Sequence, residues 1–320
     1  MKTYSLLPFI FILLFVHNIF GQEVEQVSDT ATTNFPDSAY VMSKLYAFSA
    51  DSMQGRSTKQ KAISKSRKFL IDELVDIGVA AYVPDYLQAF EIPQKKGDTL
   101  TGKNILAYVE GFSSEQIIVI SAHYDHVGMK DSLNIFNGAD DNASGTIALL
   151  EMVKYFTANQ PEHSMIFAFF DAEEMGLLGA KYFVNSSVVD SSLLKLNVNM
   201  DMVARGDKNE LYAVGTYFYP QIKTYIEQAA KDKSIKMIYG ADKPTDKPNW
   251  TYASDHGAFH KQSVPFVYFG VDDHKDYHKI TDTAEKVNPD FYLEAIELIR
   301  DAVLIFDANL DVITANSRKK

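Results

Sequence analysis

The run Ile117-Ile118-Val119-Ile120 constrains this chain more than any other stretch. Four aliphatic side chains in succession, all β-branched, read as a strand buried on both faces, the kind found inside a sheet covered by helices on each side. The run stops at Ser121-Ala122-His123-Tyr124-Asp125-His126, so two imidazoles and a carboxylate appear within four residues of the strand end. In α/β proteins ligands bind outside the carboxyl ends of the strands. His123 and Asp125 lie two apart and on extended backbone face the same side. That is the arrangement in which a carboxylate orients a metal-bound imidazole. Alone, the stretch also suits a capped strand end with surface histidines.

The rest of the chain repeats the pattern. Asn104–Glu110 is a strand closed by Gly111, and Gly138-Ala139-Asp140-Asp141-Asn142-Ala143-Ser144-Gly145 leads into a strong helix over 146–156. Two Asp and an Asn at a helix start suit N-capping, and beside the histidines they suit a cation equally. Met165–Phe170 is a further buried strand and ends in Asp171-Ala172-Glu173-Glu174. Acids crowded in this way repel one another unless a cation or raised pKa values intervene. Leu196–Val203 reads as a strand that carries Asp201 in apolar surroundings, where a lone carboxylate is costly. Val264–Gly270 is another strand, followed by a loop that carries His278, and 290–304 forms a closing amphipathic helix. Before the first motif, Asp37 is placed to cap a helix, 59–77 has helical spacing ending near Gly78, and 129–137 and 241–249 read as loops. Strands alternating with helices predict a three-layer α/β/α sandwich around a mixed, mostly parallel twisted sheet.

Composition narrows the chemistry. The 320 residues include no Cys, so thiol catalysis and Cys-based zinc sites are excluded and any metal must take N and O ligands. The net charge of −11 argues against binding a nucleic-acid backbone. Lys2 followed by the apolar run from Leu6 to Val16, and then Gly21-Gln22, has the form of a cleavable secretory signal. The expected organisation is a signal peptide over 1–21, a flexible lead over 22–36 and a single catalytic domain over 37–320. Export to the periplasm or beyond follows, without stable membrane association after cleavage. Nothing in the sequence points to an oligomeric state.

Strand ends and loops thus supply His123, Asp141, Glu173, Glu174, Asp201 and His278, enough N and O donors for two ions. From about Asn104 to Thr283 the chain resembles the co-catalytic zinc exopeptidases typified by bacterial leucyl aminopeptidases, whose relatives include glutamate carboxypeptidase, transferrin receptor and glutaminyl cyclase. The resemblance rests on His-x-Asp, Gly-Ala-Asp-Asp-x-Ala-Ser-Gly, Glu-Glu-x-Gly-x-x-Gly, the Asp201 strand, Ser-Asp-His and His-x-x-x-Asp, in that order.

The resemblance implies a peptide-hydrolysing aminopeptidase with two Zn2+ per chain. His123 and Glu174 would hold one ion, Asp201 and His278 the other, and Asp141 would bridge them. Asp125 would orient His123, and Glu173 would act as general base toward a water activated between the ions. Asp255, His256 and Tyr277 would help position substrate, with a structural role for Asp255 and His256 equally open. Two rivals share the fold, a glutaminyl-peptide cyclotransferase and a non-catalytic binding homologue. Cyclases of the family carry Asp-Asp-His where this chain has Ser254-Asp255-His256, and tend to carry Trp where it has Tyr277. Binding homologues lose ligands that are all present here. A carboxypeptidase would need basic groups for a free carboxylate, for which Arg205 is a candidate. The span from Gln22 to Asn104 leaves no room for the protease-associated insertion of larger relatives.

Overall fold

The computed structural model describes residues 35–95 and 99–315. The expected signal peptide and nearly all of the lead lie outside these residues. In chain order the strands are β1 (Ala80–Ala81), β2 (Leu87–Ile92), β3 (Leu100–Val109), β4 (Ser113–His123), β5 (Met129–Asp131), β6 (Asn134–Ile135), β7 (His163–Phe170), β8 (Leu194–Met200), β9 (Glu210–Val214), β10 (Lys236–Tyr239) and β11 (Phe266–Gly270). β5 and β6 pair with each other. The remainder make one sheet in the order β1-β3-β7-β4-β8-β11-β9-β10, with β2 also on β3. β7, β4, β8 and β11 run parallel to their neighbours in this set, whereas β3 and β9 flank it antiparallel.

The helices are α1 (Ser38–Phe48), α2 (Ile63–Ile77), α3 (Gly145–Ala158), α4 (Leu178–Asn185), α5 (Pro220–Ala229), α6 (His256–Lys261), α7 (Pro289–Ala308) and α8 (Leu310–Ala315). Side-chain alternation sorts them into layers. Ile118, Ile120 and Ala122 of β4 and Met165, Phe167 and Phe169 of β7 join a core with α1, α2, α3, α5, α7 and α8. Ile117 and Val119, with Ile166, Ala168 and Phe170, face the other way onto α4 and α6. The expected three-layer α/β/α sandwich is the observed one.

Local chemistry sets the boundaries. Asp37 accepts from the Tyr40 amide to start α1, Asn288 accepts from the Phe291 amide to start α7, and Gly78 ends α2 with φ +78°. α2 begins later than the helical spacing suggests, because residues 57–62 turn first and Thr58 bonds to Asp171 at 2.7 Å. β8 stops at Met200, so Asp201 lies beyond the strand rather than inside it. The amides that follow leave the ladder. Met202 N donates to Asn142 Oδ1, Val203 N to Ser144 Oγ and Ala204 N to Asp140 Oδ1, and Met202 itself has φ +63°.

From β4 the chain passes through α3 to β7 on one flank, then through α4 to β8 on the other. This reversal opens a crevice at the carboxyl ends of the central parallel strands. No helix among the described residues is long and apolar enough to cross a membrane.

Candidate metal centre

Parallel register builds the first half of the centre. Ser121 of β4 is paired with Asn199 of β8, so two residues later His123 and Asp201 emerge abreast. His123 Nε2 lies 3.2 Å from Asp201 Oδ1 and 3.6 Å from Asp141 Oδ1. The second half uses the other oxygen of the same carboxylate. Asp141 Oδ2 is 3.0 Å from His278 Nε2, which is 3.1 Å from Glu174 Oε1. The donors form two groups, His123–Asp141–Asp201 and His126–Asp141–Glu174–His278, with Asp141 in both.

The expected pairing within the centre is therefore corrected. His123 stands with Asp201 because their strands are hydrogen-bonded neighbours. Glu174 stands with His278 because the turn after β7, closed by the Gly176 and Leu177 amides on Glu173 O, carries it across to the loop after β11.

These spacings fit shared ions. Ligand atoms around a tetrahedral ion at about 2.0–2.2 Å sit roughly 3.3–3.6 Å apart. Asp141 Oδ2, Glu174 Oε1 and His126 Nδ1 are all buried without a hydrogen-bond partner although they face one another, an expensive arrangement unless something positive lies between them. The electrostatics agree. Its contacts with Asp141 and Glu174 push the His278 imidazole up to about 10. Burial alone would push Glu174 up, yet His126 and His278 hold it below the usual carboxylate range. Burial alone would lower His123, yet Asp201 and Glu173 drive it well above the usual value. Each group calls for positive charge, which divalent ions supply without protonating the imidazoles.

Glu173 sits half-buried beside the centre. Burial first, then Asp255, Asp201 and Asp125, pushes its carboxyl well up. It lines a cleft of about 630 Å³ together with Glu174, Leu177, Lys181, Tyr252 and Lys261. Asp125 touches His123 with both its carbonyl and its carboxylate. The carbonyl of Asp125, at 3.1 Å, is nearer to His123 Nδ1 than its carboxylate, at 3.7 Å. The carboxylate also accepts from the Glu173 amide at 3.0 Å and so fixes where Glu173 stands.

Asp255 is fully buried with both oxygens unpartnered, and burial pushes it up to about 8. His256 is buried against Phe266 and Tyr268 and meets the Trp250 carbonyl at 2.8 Å, so its ring belongs to the packing beneath the site. Tyr277 stacks on His278, with ring centroids 4.0 Å apart.

Further groups support the centre, and Arg56 among them escapes a reading of motifs. Arg56 is fully buried and donates to the carbonyls of Phe48, Tyr124, Asn137, Gly138 and Asp141, clamping the turn that presents Asp141. Asp282 accepts from the amides of Asp140 and Asp141, which explains the carboxylate four residues after His278. Asp140 points away, to His274 Nε2 at 3.1 Å. Asp171 also turns away, pairing with Arg67 at 2.6 Å, so only two of the three clustered acids reach the centre.

The sequence profile of peptidase family M28 matches residues 104–303, more than half of the chain. The chain belongs to peptidase family M28. Leucine aminopeptidase 2 of Trichophyton rubrum is 30% identical over 173 residues, 51% of this chain and 32% of that protein. Aminopeptidase YwaD of Bacillus subtilis is 27% identical over 219 residues, 63% of this chain and 44% of that protein. The chain thus spans about a third to under half of the length of these curated relatives. Among solved structures, BSAP, a zinc aminopeptidase from Bacillus subtilis, superposes with a TM-score of 0.69 at 17% identity, covering 85% of this chain and 95% of that one. A Bacteroides thetaiotaomicron glutaminyl cyclase superposes with a TM-score of 0.67 at 18% identity, covering 88% and 98%. Both likenesses concern the fold alone.

Proposed function

We propose that this chain is an exported zinc aminopeptidase with two ions per chain, its signal peptide cut near Gly21-Gln22 and its catalytic body over residues 37–320. The carrying observation is the division of Asp141, one oxygen toward His123 and Asp201, the other toward Glu174 and His278, at the lip of a cleft lined by Glu173. When bound, metal at the centre would polarise the scissile carbonyl and acidify the attacking water. Glu173, anchored through its amide by Asp125, takes the proton of that water on its carboxylate and hands it to the leaving amine. Its raised pKa suits both halves of the transfer. Asp255 stands close enough that its charge, when ionised, pushes the Glu173 carboxyl up further. The cleft receives the side chain of the N-terminal residue, and Tyr277 holds the ring of His278 in place.

The test is hydrolysis of a panel of aminoacyl amides by the purified protein, run beside N-terminal Gln peptides. A chelator should abolish hydrolysis and zinc restore it. Glu173→Gln should keep its metal and lose turnover by at least about 100-fold, the usual range for a general base. A fully active Glu173→Gln variant contradicts the assignment, and cyclisation of Gln peptides in place of amide hydrolysis would favour the glutaminyl cyclase reading.

A further inference from the structure

His126 has no part in the ligand set expected from the family motifs, yet its surroundings are those of a ligand. Its ring is buried, and neither nitrogen has a hydrogen-bond partner. Nδ1 nevertheless lies 3.0 Å from Glu174 Oε1 and 3.5 Å from Asp141 Oδ2, and both of those oxygens are themselves unpartnered. Three polar atoms that face one another at these distances without hydrogen-bonding mark the edges of a coordination polyhedron more naturally than a broken network. With His278 Nε2 at 3.0 Å and 3.1 Å from the same two oxygens, the group has four donors of two kinds, two imidazole nitrogens and two carboxylate oxygens.

The backbone holds the ring there. His126 N donates to the Arg56 carbonyl, and Gly138 lies against the ring, since a Cβ at that residue would meet His126 Cδ2 at 2.5 Å. Gly138 has φ +55°, so a side chain would be strained as well as obstructed.

We propose that His126 is a fourth protein ligand, through Nδ1, to the ion held by Asp141, Glu174 and His278. The two positions are then unequal. The four-donor position is closed by protein in the manner of a structural zinc site, and the His123–Asp141–Asp201 position, with three donors, is the open one. The closed position fills first and holds its ion longer, and the exchangeable ion is the one beside His123. This inference rests on the two-ion reading above.

Stepwise titration of the metal-free full chain with Zn2+ against a competing chelator, and with Co2+ followed by visible absorption, tests it. The wild type should show two steps, the first tight and giving the more intense four-coordinate Co2+ bands. His126→Ala should weaken the first step by more than about 100-fold, beyond the roughly 10–100-fold that loss of an outer partner costs, and should reduce those bands. Because the chain contains no Cys, His126→Cys adds a second readout: a thiolate-to-cobalt charge-transfer band could come only from residue 126. That band also carries the test where the alanine variant fails to fold.

An unchanged first step and spectrum in His126→Ala, or a cysteine variant with wild-type affinity and no charge-transfer band, would overturn the assignment. A loss of tenfold or less without a spectral change would also overturn it, leaving His126 as a neighbour of Glu174 and no ligand. A wild type that binds fewer than two ions would instead sink the two-ion reading itself.

Discussion

His256 shows how a residue inside a recognisable motif can serve packing. Its imidazole is stacked near Phe266 and Tyr268 in a fully buried pocket, and burial pushes its pKa down to about 3 from an ordinary 6.5. In the unfolded chain the ring takes up a proton below about pH 6.5, while in the folded chain it stays neutral down to about pH 3. Stability is therefore full above 6.5 and falls as the pH drops toward 3, by up to about 1.4 kcal/mol per pH unit from this group. His256→Gln, which can still donate to the Trp250 carbonyl, should lose less stability than the wild type between pH 7 and pH 5, by about 2 kcal/mol at most. Denaturant melts at the two pH values measure the difference. An identical acid loss in both proteins would show that the ring protonates freely in the folded state.

At the scale of elements, the decisive construction is the turn Ala139–Ser144 and what holds it. Arg56 reaches this turn from a 3-10 segment (Asp51–Arg56) and satisfies carbonyls at Asn137, Gly138 and Asp141, while Asp282 takes the amides of Asp140 and Asp141 from the opposite side. Arg56→Met leaves several buried carbonyls unpaired at about 1–3 kcal/mol each, so the expected loss exceeds about 4 kcal/mol in a denaturant midpoint experiment. Arg56→Lys should recover little of it, because an ammonium cannot reproduce the planar fork of donors. A change under about 1 kcal/mol for Arg56→Met would mean that the turn stands without its clamp.

The same contacts explain what could be read from the chain and what could not. β4 and β7 were legible because strands buried on both faces leave continuous apolar runs. Asp37, Gly78 and Asn142 act locally, so their capping chemistry is visible in sequence. Arg56 and His274 find their partners far along the chain, and no local pattern marks them. β10, α4, α6 and the β5–β6 hairpin are short, and tertiary contacts rather than periodicity decide them. Apart from His126, the residues gathered at the centre were legible through motifs, but their grouping was not. It depends on β4 lying beside β8, a consequence of sheet order rather than of spacing.

For the whole molecule, the fold gathers buried acids and imidazoles at the carboxyl ends of its central strands, and on the reading proposed above cations offset their charge. Metal binds the folded state and not the dispersed ligands, so it should stabilise by mass action, about 4 kcal/mol at a thousandfold excess over the dissociation constant. The melting temperature should fall on chelation and return with zinc. Calorimetry that shows no shift between metal-free and zinc-loaded protein would separate the acid cluster from any metal. The claim beneath all of this is that one carboxylate serves both positions. Metal content per chain, measured on folded wild type and Asp141→Asn after zinc loading and desalting, addresses it directly. Two zinc ions are expected in the wild type, and loss of both positions, to well under one ion, in the variant. A variant that still retained two would contradict the claim.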